Sequence, residues 1–483
     1  MQKISPATLI RLSLLVLWVV LFGLLLKRDY FIERLDLREA RVIQKGREES
    51  FSGVYFQNER IGFVNNRLTP VADGFQLTQE ALLLLNILEQ RHRVELKISA
   101  RLDPAMLLRN FDFQLESPFY SMTAKGQVEG KTVRFTITTG KEEINDSVTL
   151  DHPPFLATNQ RGYLLERKPE PGSKIRIPYF DPVSLSGKDT VLEYKGYEKI
   201  LLAGRIHRLH HFTESFSGMQ INSWLDDDGK VIKEESPAGF TFLSEPEFKA
   251  TDLPTQGREI LSSVSVPVTG VMPGDYATRE KLLFRLSFPE EAEVEIDKDR
   301  QRLNHGVLSV VLEPLPAANA RACEGPPAEL SATPYIQSEH SEISGLVDSL
   351  VEETMNDLKK VRAIADWVFK TLEKRPVLGI PDALTTLRMK KGDCNEHAAL
   401  FAAMARNAGI PTRIVAGVTY HQQSFYYHAW NEVCLDGQWL SLDTTKNQIP
   451  ADVTHIKFVE GETKEQIKIG GLLGRLQIEI VPE

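Results

Sequence analysis

The sequence predicts an α+β protein in three parts: an N-terminal transmembrane helix, antiparallel β-rich middle domains, and a C-terminal domain that combines helices with a sheet. Residues 12–26 carry no charge. Residues 50–315 alternate apolar and polar side chains in short segments separated by Gly, Pro, Asp and Asn. Beyond residue 328 the apolar spacing becomes helical and later returns to that of strands.

Segment 7–28 is predicted to be a single membrane-spanning helix. Up to residue 26 its only charge is Arg11, whose long side chain can reach the headgroups, and the run is long enough to cross a bilayer. Lys27 and Arg28 follow directly with no small-x-small cleavage site, which favours an uncleaved signal anchor over a signal peptide. A buried helix is the alternative.

More basic residues follow this segment than precede it, so the positive-inside count conflicts with the usual orientation of such anchors. A short tail ahead of one apolar segment is typical of an anchor that exports everything downstream. We therefore expect a single-pass inner-membrane protein whose bulk lies in the periplasm, or otherwise outside the cytoplasm.

The next segments are predicted to be a membrane-proximal helix over 29–49, an antiparallel β-rich domain over 50–250 and a small β domain over 251–315. Within the larger domain, one helix is expected around Glu80 to Ile87. The small domain should contain strands near Lys281 to Ser287 and Val307 to Leu312. A Pro- and Ala-rich linker, Pro314 to Pro327, leads into the last domain, 328–483.

The composition narrows the possible functions. The chain has 483 residues, 42% of them hydrophobic and 25% charged, as in ordinary globular proteins. Its formal net charge of -9, with no cluster of basic residues, disfavours nucleic acid as a partner. The sequence lacks CxxC and HExxH patterns, so neither a metal nor another cofactor is expected.

Three cysteines are too few for a disulfide framework in a chain of this size. In an oxidising compartment, Cys323 and Cys434 could pair and leave Cys394 free. Sequence alone does not establish that geometry.

Cys394 is the strongest candidate nucleophile. It lies between Gly392-Asp393 and an Ala- and Leu-rich run that ends at Gly409 and Pro411, which indicates a helix beginning near the cysteine. The unpaired N–H groups and positive dipole at a helix N-terminus favour a thiolate, so we expect a lowered pKa for this thiol. The alternative is a buried core cysteine.

His428 and Asp443 are the candidate base and orienting carboxylate. His428 lies within a strand-like run and Asp443 at the end of the next, after the Asp436-Gly437 turn. Adjacent antiparallel strands can bring both side chains to one face, as a base and its orienter require. The order Cys, His, Asp, with the thiol on a helix and its partners on a sheet, is a papain-like arrangement.

Three stretches resemble the signature blocks of the bacterial transglutaminase-like superfamily: Gly392–Ala398, His428–Val433 and Trp439–Thr445. The resemblance covers about Tyr335 to Val459. It implies a papain-like core with Cys394 as nucleophile, His428 as base and acid, and Asp443 fixing the imidazole. It does not fix the reaction, because such proteins include cross-linkers, peptidases, amidases and inactive relatives. We expect an acyltransferase or amide hydrolase that acts on peptide or protein amides through a thioester.

The sequence is also compatible with other interpretations. His428 could be a core histidine and Asp443 a turn residue, whereas His397, Glu396 and Trp430 are expected to have packing or supporting roles. A protein of another class would be a non-catalytic binding or scaffolding protein of the cell envelope that uses its β-rich region. A lipid or lipoprotein carrier is a third possibility.

Overall fold

The computed structural model describes residues 33–34 and 48–482, apart from 88–89, 141, 156–163, 166–167, 182–185, 217–218, 254–264, 290–291, 293, 325–326 and 353. The predicted membrane span 7–28 and most of the predicted helix 29–49 lie outside these residues. Among the described residues, no helix has both the length and the apolar character needed to cross a membrane.

The predicted α+β class is wrong, because the described part of the chain is mostly β, with 51% of the described residues in strands and 17% in helices. One physical reason is that the middle of the chain forms hairpin after hairpin. The helix expected around Glu80 to Ile87 is part of strand Gly74–Ile87, which pairs from Phe75 to Ile87 with Gln90–Leu102. Ala203-Gly204 forms one of these hairpin turns, between strands Ser186–Leu202 and Arg205–Phe216.

The first sheet has 15 strands, and its neighbours pair in the order β1-β10-β11-β12-β13-β14-β15-β2-β3-β4-β5-β6-β7-β8-β9. Its strands are β1 Glu33–Arg34, β2 Glu48–Phe56, β3 Glu59–Val71, β4 Gly74–Ile87, β5 Gln90–Leu102, β6 Leu108–Ser117, β7 Tyr120–Glu129, β8 Thr132–Thr139, β9 Glu142–Thr149, β10 Lys174–Asp181, β11 Ser186–Leu202, β12 Arg205–Phe216, β13 Met219–Leu225, β14 Val231–Glu235 and β15 Phe240–Glu245. Antiparallel pairing of β15 with β2 joins two meanders, β2 to β9 and β10 to β15.

The second sheet has nine strands and contains the predicted active-site strands. Its order is β18-β19-β17-β26-β16-β23-β22-β25, with β24 paired to β23. Its strands are β16 Val266–Thr269, β17 Lys281–Ser287, β18 Gln301–Asn304, β19 Val307–Val311, β22 Thr412–His421, β23 Ser424–Leu435, β24 Gln438–Leu442, β25 Ile456–Glu460 and β26 Gln477–Val481; β20 Glu373–Lys374 and β21 Lys391–Gly392 form a separate parallel pair. Segments from 251–315 and 328–483 therefore share one sheet.

Helices cover part of this second sheet. The α-helices of the described residues include Glu247–Ala250, Ser341–Leu350, Asp357–Thr371, Ala383–Met389, Cys394–Asn407 and Thr463–Gln466; the 3-10 segments include Tyr276–Thr278, Pro327–Glu329 and Ile467–Leu472. We call Cys394–Asn407 the nucleophile helix. It is buried almost throughout and packs on β22 and β23 within one core.

Candidate active site

The nucleophile helix begins at Cys394 because its first turn is capped by the residues around it. The Asp393 carboxylate accepts a hydrogen bond from Asn395 N–H at 3.0 Å, and Glu396 Oε2 accepts one from Asp393 N–H at 2.9 Å. This is a capping box. Gly392 is needed here, because a Cβ at that position would lie 2.3 Å from the Glu396 Cβ.

Cys394 is the free cysteine of the chain and is half-buried. Burial and the nearby Asp393 carboxylate raise the pKa of its thiol well above the usual value, and a hydrogen bond from the Ala429 backbone N–H offsets only part of this. The predicted low-pKa thiolate is therefore wrong. Burial and the Asp393 carboxylate together outweigh the favourable field of the helix N-terminus, which favours the thiol over the thiolate.

His428 and Asp443 lie together, with His428 Nε2 2.8 Å from Asp443 Oδ2. His428 is on β23, and Asp443 directly follows β24, which pairs antiparallel with β23. Asn431 on β23 donates from Nδ2 to the Ala398 carbonyl at 3.0 Å, which fixes this strand against the nucleophile helix. Ala429, the partner of the thiol, is next to His428 in sequence, although within the described residues the thiol is not hydrogen-bonded to His428 itself.

Asp443 is an ionised carboxylate. Burial alone would raise its pKa, but the interactions with His428 and His455 hold that pKa well below its usual range. Its other oxygen, Oδ1, accepts hydrogen bonds from the backbone N–H groups of Thr445 at 2.7 Å and Lys446 at 3.2 Å. The carboxylate is thus fixed by backbone as well as side-chain donors.

Two residues that sequence reasoning missed extend the site. His455 Nε2 lies 3.1 Å from the same Asp443 oxygen that contacts His428, and His455 Nδ1 lies 3.1 Å from Asp452 Oδ1. Both residues are buried. The sequence signal is an Asp-x-x-His spacing soon after the third block, which is too common to be recognised without the fold.

The supporting residues lie close to the site. His397 is fully buried, donates from Nδ1 to the Asp393 carbonyl at 2.7 Å and has a pKa lowered by burial. Burial and Asp393 raise the pKa of Glu396 well above its usual value, so this capping residue is a neutral acid. The buried Trp430 ring stacks beside His428 with 6.3 Å between ring centroids.

Cys323 and Cys434 form a disulfide with a Cα–Cα distance of 5.5 Å. The pairing considered from the sequence is therefore present. It ties the segment after the second-sheet strand β19 to the end of β23, the strand that carries His428.

One group of potential metal ligands coincides with the site. Ligand atoms of His428, Asp443 and His455 lie within 4.8 Å of one another. Because these atoms already hydrogen-bond to one another, the cluster is explained without an ion, and we assign no metal site to it.

Comparison with known proteins agrees with this geometry. A family model described as the transglutaminase-like superfamily matches residues 344–444, a range that contains Cys394, His428 and Asp443. The chain contains a transglutaminase-like domain. This family indicates a peptidase or an acyltransferase.

Two curated relatives are similar to part of the chain. Kyphoscoliosis peptidase from Mus musculus is 34% identical over 135 residues, which are 24% of this chain and 20% of the relative. The Homo sapiens protein of the same name is 33% identical with the same coverage. The chain thus spans about a fifth of the length of these relatives.

Two solved structures are also similar. A candidate cysteine protease from Cytophaga hutchinsonii aligns with a TM-score of 0.28 at 19% identity, over 42% of this chain and 76% of that one. A β-barrel-like protein of a domain of unknown function from Brucella abortus aligns with a TM-score of 0.33 at 10% identity, over 42% of this chain and 96% of that one.

Proposed function

We propose that the transglutaminase-like domain is a cysteine-dependent acyltransferase or amide hydrolase in which Cys394 is the nucleophile, His428 the base and acid, and Asp443 the orienting carboxylate. The observation that carries the proposal is the 2.8 Å contact between His428 and Asp443, on a strand held against the helix that begins with the free thiol. This is the base-and-orienter arrangement that activates a nucleophile.

The protonated thiol defines the first step. As the Cys394 sulfur attacks the amide carbonyl carbon, His428 accepts the thiol proton and Asp443 stabilises the imidazolium that forms. The developing oxyanion can be met by the Cys394 backbone N–H, which has no intrahelical partner at this first position. His428 then donates the proton to the departing amine, the C–N bond breaks, and a thioester remains.

The second step resolves the thioester. Water or an amine attacks its carbonyl carbon while His428 accepts a proton from the attacking group. The C–S bond breaks, the proton returns to sulfur, and a carboxylic acid or a new amide leaves. The choice of acceptor decides between hydrolase and transferase.

We further propose that the substrates are peptide or protein amides outside the cytoplasm. The Cys323–Cys434 disulfide supports this location, because such bonds persist mainly in oxidising compartments.

The decisive experiment uses p-nitrophenyl acetate, an activated ester, with the full-length chain. We expect a burst of p-nitrophenolate and one acetyl group on Cys394 by peptide mass mapping. The matched controls are Cys394→Ser and Cys323→Ser/Cys434→Ser, of which only the first should abolish acetylation of this peptide. A folded wild-type chain that is never acetylated at Cys394 would refute the proposal.

Hydrolase and transferase are separated in a second assay. Dimethylcasein is incubated with the chain and monodansylcadaverine, and both the fluorescence of the protein and the release of ammonia are measured. Fluorescent casein indicates transfer to an amine, whereas ammonia without fluorescence indicates hydrolysis.

A second candidate function, a binding or scaffolding role for the β-rich region, has its own observation. Strands β4 to β9 carry a groove of ≈ 970 Å³ on the first sheet. Its lining includes the charged side chains of Arg101, Asp112, Lys125 and Arg134. If binding or scaffolding were the whole function, the Cys394→Ser variant would replace the wild-type protein in cells without any loss of function.

A further inference from the structure

His455 lies outside the three sequence blocks of the site yet contacts its central carboxylate. Asp443 Oδ2 is 2.8 Å from His428 Nε2 and 3.1 Å from His455 Nε2, so two imidazoles share one oxygen. His455 has an exposed fraction of 0%. The mechanism described above gives it no role.

The second ring nitrogen of His455 also faces a carboxylate. Asp452 Oδ1 lies 3.1 Å from His455 Nδ1, and Asp452 is held by Gln448 Nε2 at 2.9 Å and Thr454 N–H at 2.9 Å. Burial alone would raise the pKa of Asp452, but its hydrogen bond with His455 lowers that pKa below the usual range. Asp452 and Asp443 are therefore both ionised and can only accept hydrogen bonds.

An imidazole that donates to two carboxylates must carry a proton on each nitrogen. The His455 imidazole lies between two carboxylates, with Asp443 at Nε2 and Asp452 at Nδ1. It lies close to the base, with ring centroids of His455 and His428 5.8 Å apart. Trp430 covers the buried ring, with its own centroid 5.2 Å away.

Other charged groups face His455 from the elements around it. The Arg300 guanidinium donates to the backbone carbonyls of His455 at 2.9 Å and Asp452 at 2.7 Å. The Lys446 ammonium donates to Thr419 Oγ1 at 2.7 Å, and that hydroxyl reaches Asp452 through Thr454. Arg300 and Lys446, together with His428, Asp443 and Asp452, are charged or titratable groups around His455.

We propose that His455, held by Asp452, is a positioning residue that acts through Asp443 and lets His428 serve as a base at lower pH than an isolated His-Asp pair. The proposal rests on the proposed function of His428 as base. Because His455 shares Asp443 Oδ2, it weakens the hydrogen bond from His428 to that oxygen. A positive charge on His455 also disfavours a second positive charge on His428. A unit charge at this separation, partly screened, moves a titration by about one pH unit.

The test measures the rate of Cys394 acetylation by p-nitrophenyl acetate against pH in the full chain. The rate is expected to rise with pH as His428 loses its proton. We call this rising part of the pH profile the acid limb. Asp452→Asn lets an amide N–H donate to His455 Nδ1, so the ring becomes neutral but keeps its contact with Asp443. His455→Gln keeps a donor to Asp443 without the charge. We expect both variants to shift the acid limb upwards by about one pH unit.

The control is His92→Gln, a buried histidine of the first sheet, which should leave the limb unchanged. A limb that stays in place or moves to lower pH in the folded Asp452→Asn variant would overturn the proposal, since a merely structural role predicts lower stability without that shift. Thermal unfolding of each variant identifies any that fail to fold.

A second measurement does not depend on Cys394 chemistry. In wild-type chain labelled with nitrogen-15 histidine, the His455 signals, assigned from the His455→Gln variant, should show N–H at both ring positions at neutral pH. A neutral His455 ring would refute the inference even if Cys394 is acetylated. Conversely, a doubly protonated ring in a chain that is never acetylated would leave the inference standing and refute the proposed function.

Discussion

The Cys394 thiol lies beside carboxyl groups, and its proton must leave before the sulfur can attack a carbonyl. Burial and Asp393 raise the pKa of this thiol well above its usual value. A thiolate formed before substrate binds is thus unfavourable at neutral pH. Under the proposed function, catalysis therefore requires a side chain that accepts the thiol proton while the sulfur attacks the carbonyl carbon.

We predict that His428, and not His397, is that acceptor. His428→Gln should lower the rate of Cys394 acetylation by about 100-fold or more, because a general base contributes on that scale. His397→Gln should keep most of the rate and lower the free energy of unfolding by about 1–2 kcal/mol, because it weakens the buried hydrogen bond to Asp393. Acetylation kinetics and urea unfolding measure the two effects. The assignment fails if the His397 variant folds normally and loses the rate while the His428 variant retains it.

Asp443 should make stability depend on pH in the acid range. Its folded pKa is well below the usual value of about 3.9, so between the two values the unfolded state binds more protons. Its stabilising contribution is therefore present above about pH 4 and is lost as the pH falls through the folded pKa. Urea unfolding across this window should give a flatter profile for Asp443→Asn than for wild type. Asp348→Asn, on an exposed helix face, should keep the wild-type profile.

At the scale of helices and strands, the sequence predicts best where local pattern and tertiary pairing agree. Lys281–Ser287 forms a strand with the predicted bounds, since its alternating apolar side chains face a core. The Leu-rich run before Ile87 is equally compatible with a helix, and only its pairing with Gln90–Leu102 makes it a strand. The His428–Asp443 contact follows from one hairpin, whereas His455 reaches Asp443 through a longer loop that no local pattern indicates.

Gly417 shows how closely two site strands approach. A Cβ at this position would lie 1.9 Å from the Ile456 carbonyl oxygen, so Gly417→Ala must separate β22 from β25, which begins next to His455. We expect the free energy of unfolding to fall by about 2 kcal/mol or more, as for other overpacked sites. Urea unfolding measures it. The control is Gly345→Ala within helix Ser341–Leu350, where a Cβ meets no atom within 4 Å and should stabilise by about 0.5–1 kcal/mol. Equal effects of both changes would contradict this account.

At the scale of the whole molecule, the first sheet packs against the segment that precedes the nucleophile helix in the chain. The Phe119 ring, between β6 and β7, lies under the cations of Arg375, at 4.8 Å, and Lys391, at 5.7 Å. Lys391 belongs to β21, which ends two residues before Cys394. Arg388 adds a salt bridge to Glu142 at 2.7 Å. The β-rich region therefore supports the segment that presents the thiol.

This contact predicts that a change in the first sheet reaches the site. The Tyr120 ring lies against Gly379, where a Cβ would be 2.4 Å from it, and Tyr120 has an exposed fraction of 5%. Tyr120→Ala should cost about 3 kcal/mol of unfolding free energy and speed hydrogen exchange at Lys391 to Cys394. Tyr197→Ala, at an exposed position of the same sheet, should change neither. Unaltered exchange at Lys391 to Cys394 in the Tyr120 variant would show that the two parts are not coupled.

The position of β26 inside the second sheet determines when this sheet can finish folding during synthesis. β26 lies between β17 and β16, and its Glu479 pairs with Arg285 across 194 residues of sequence. On the ribosome, β16 and β17 emerge long before the strand that joins them, and their open edges must wait for it. The sheet that supports His428 therefore closes only after residues 477–481 have been synthesised. Under the proposed function, Cys394 should therefore become reactive only after translation has passed this strand.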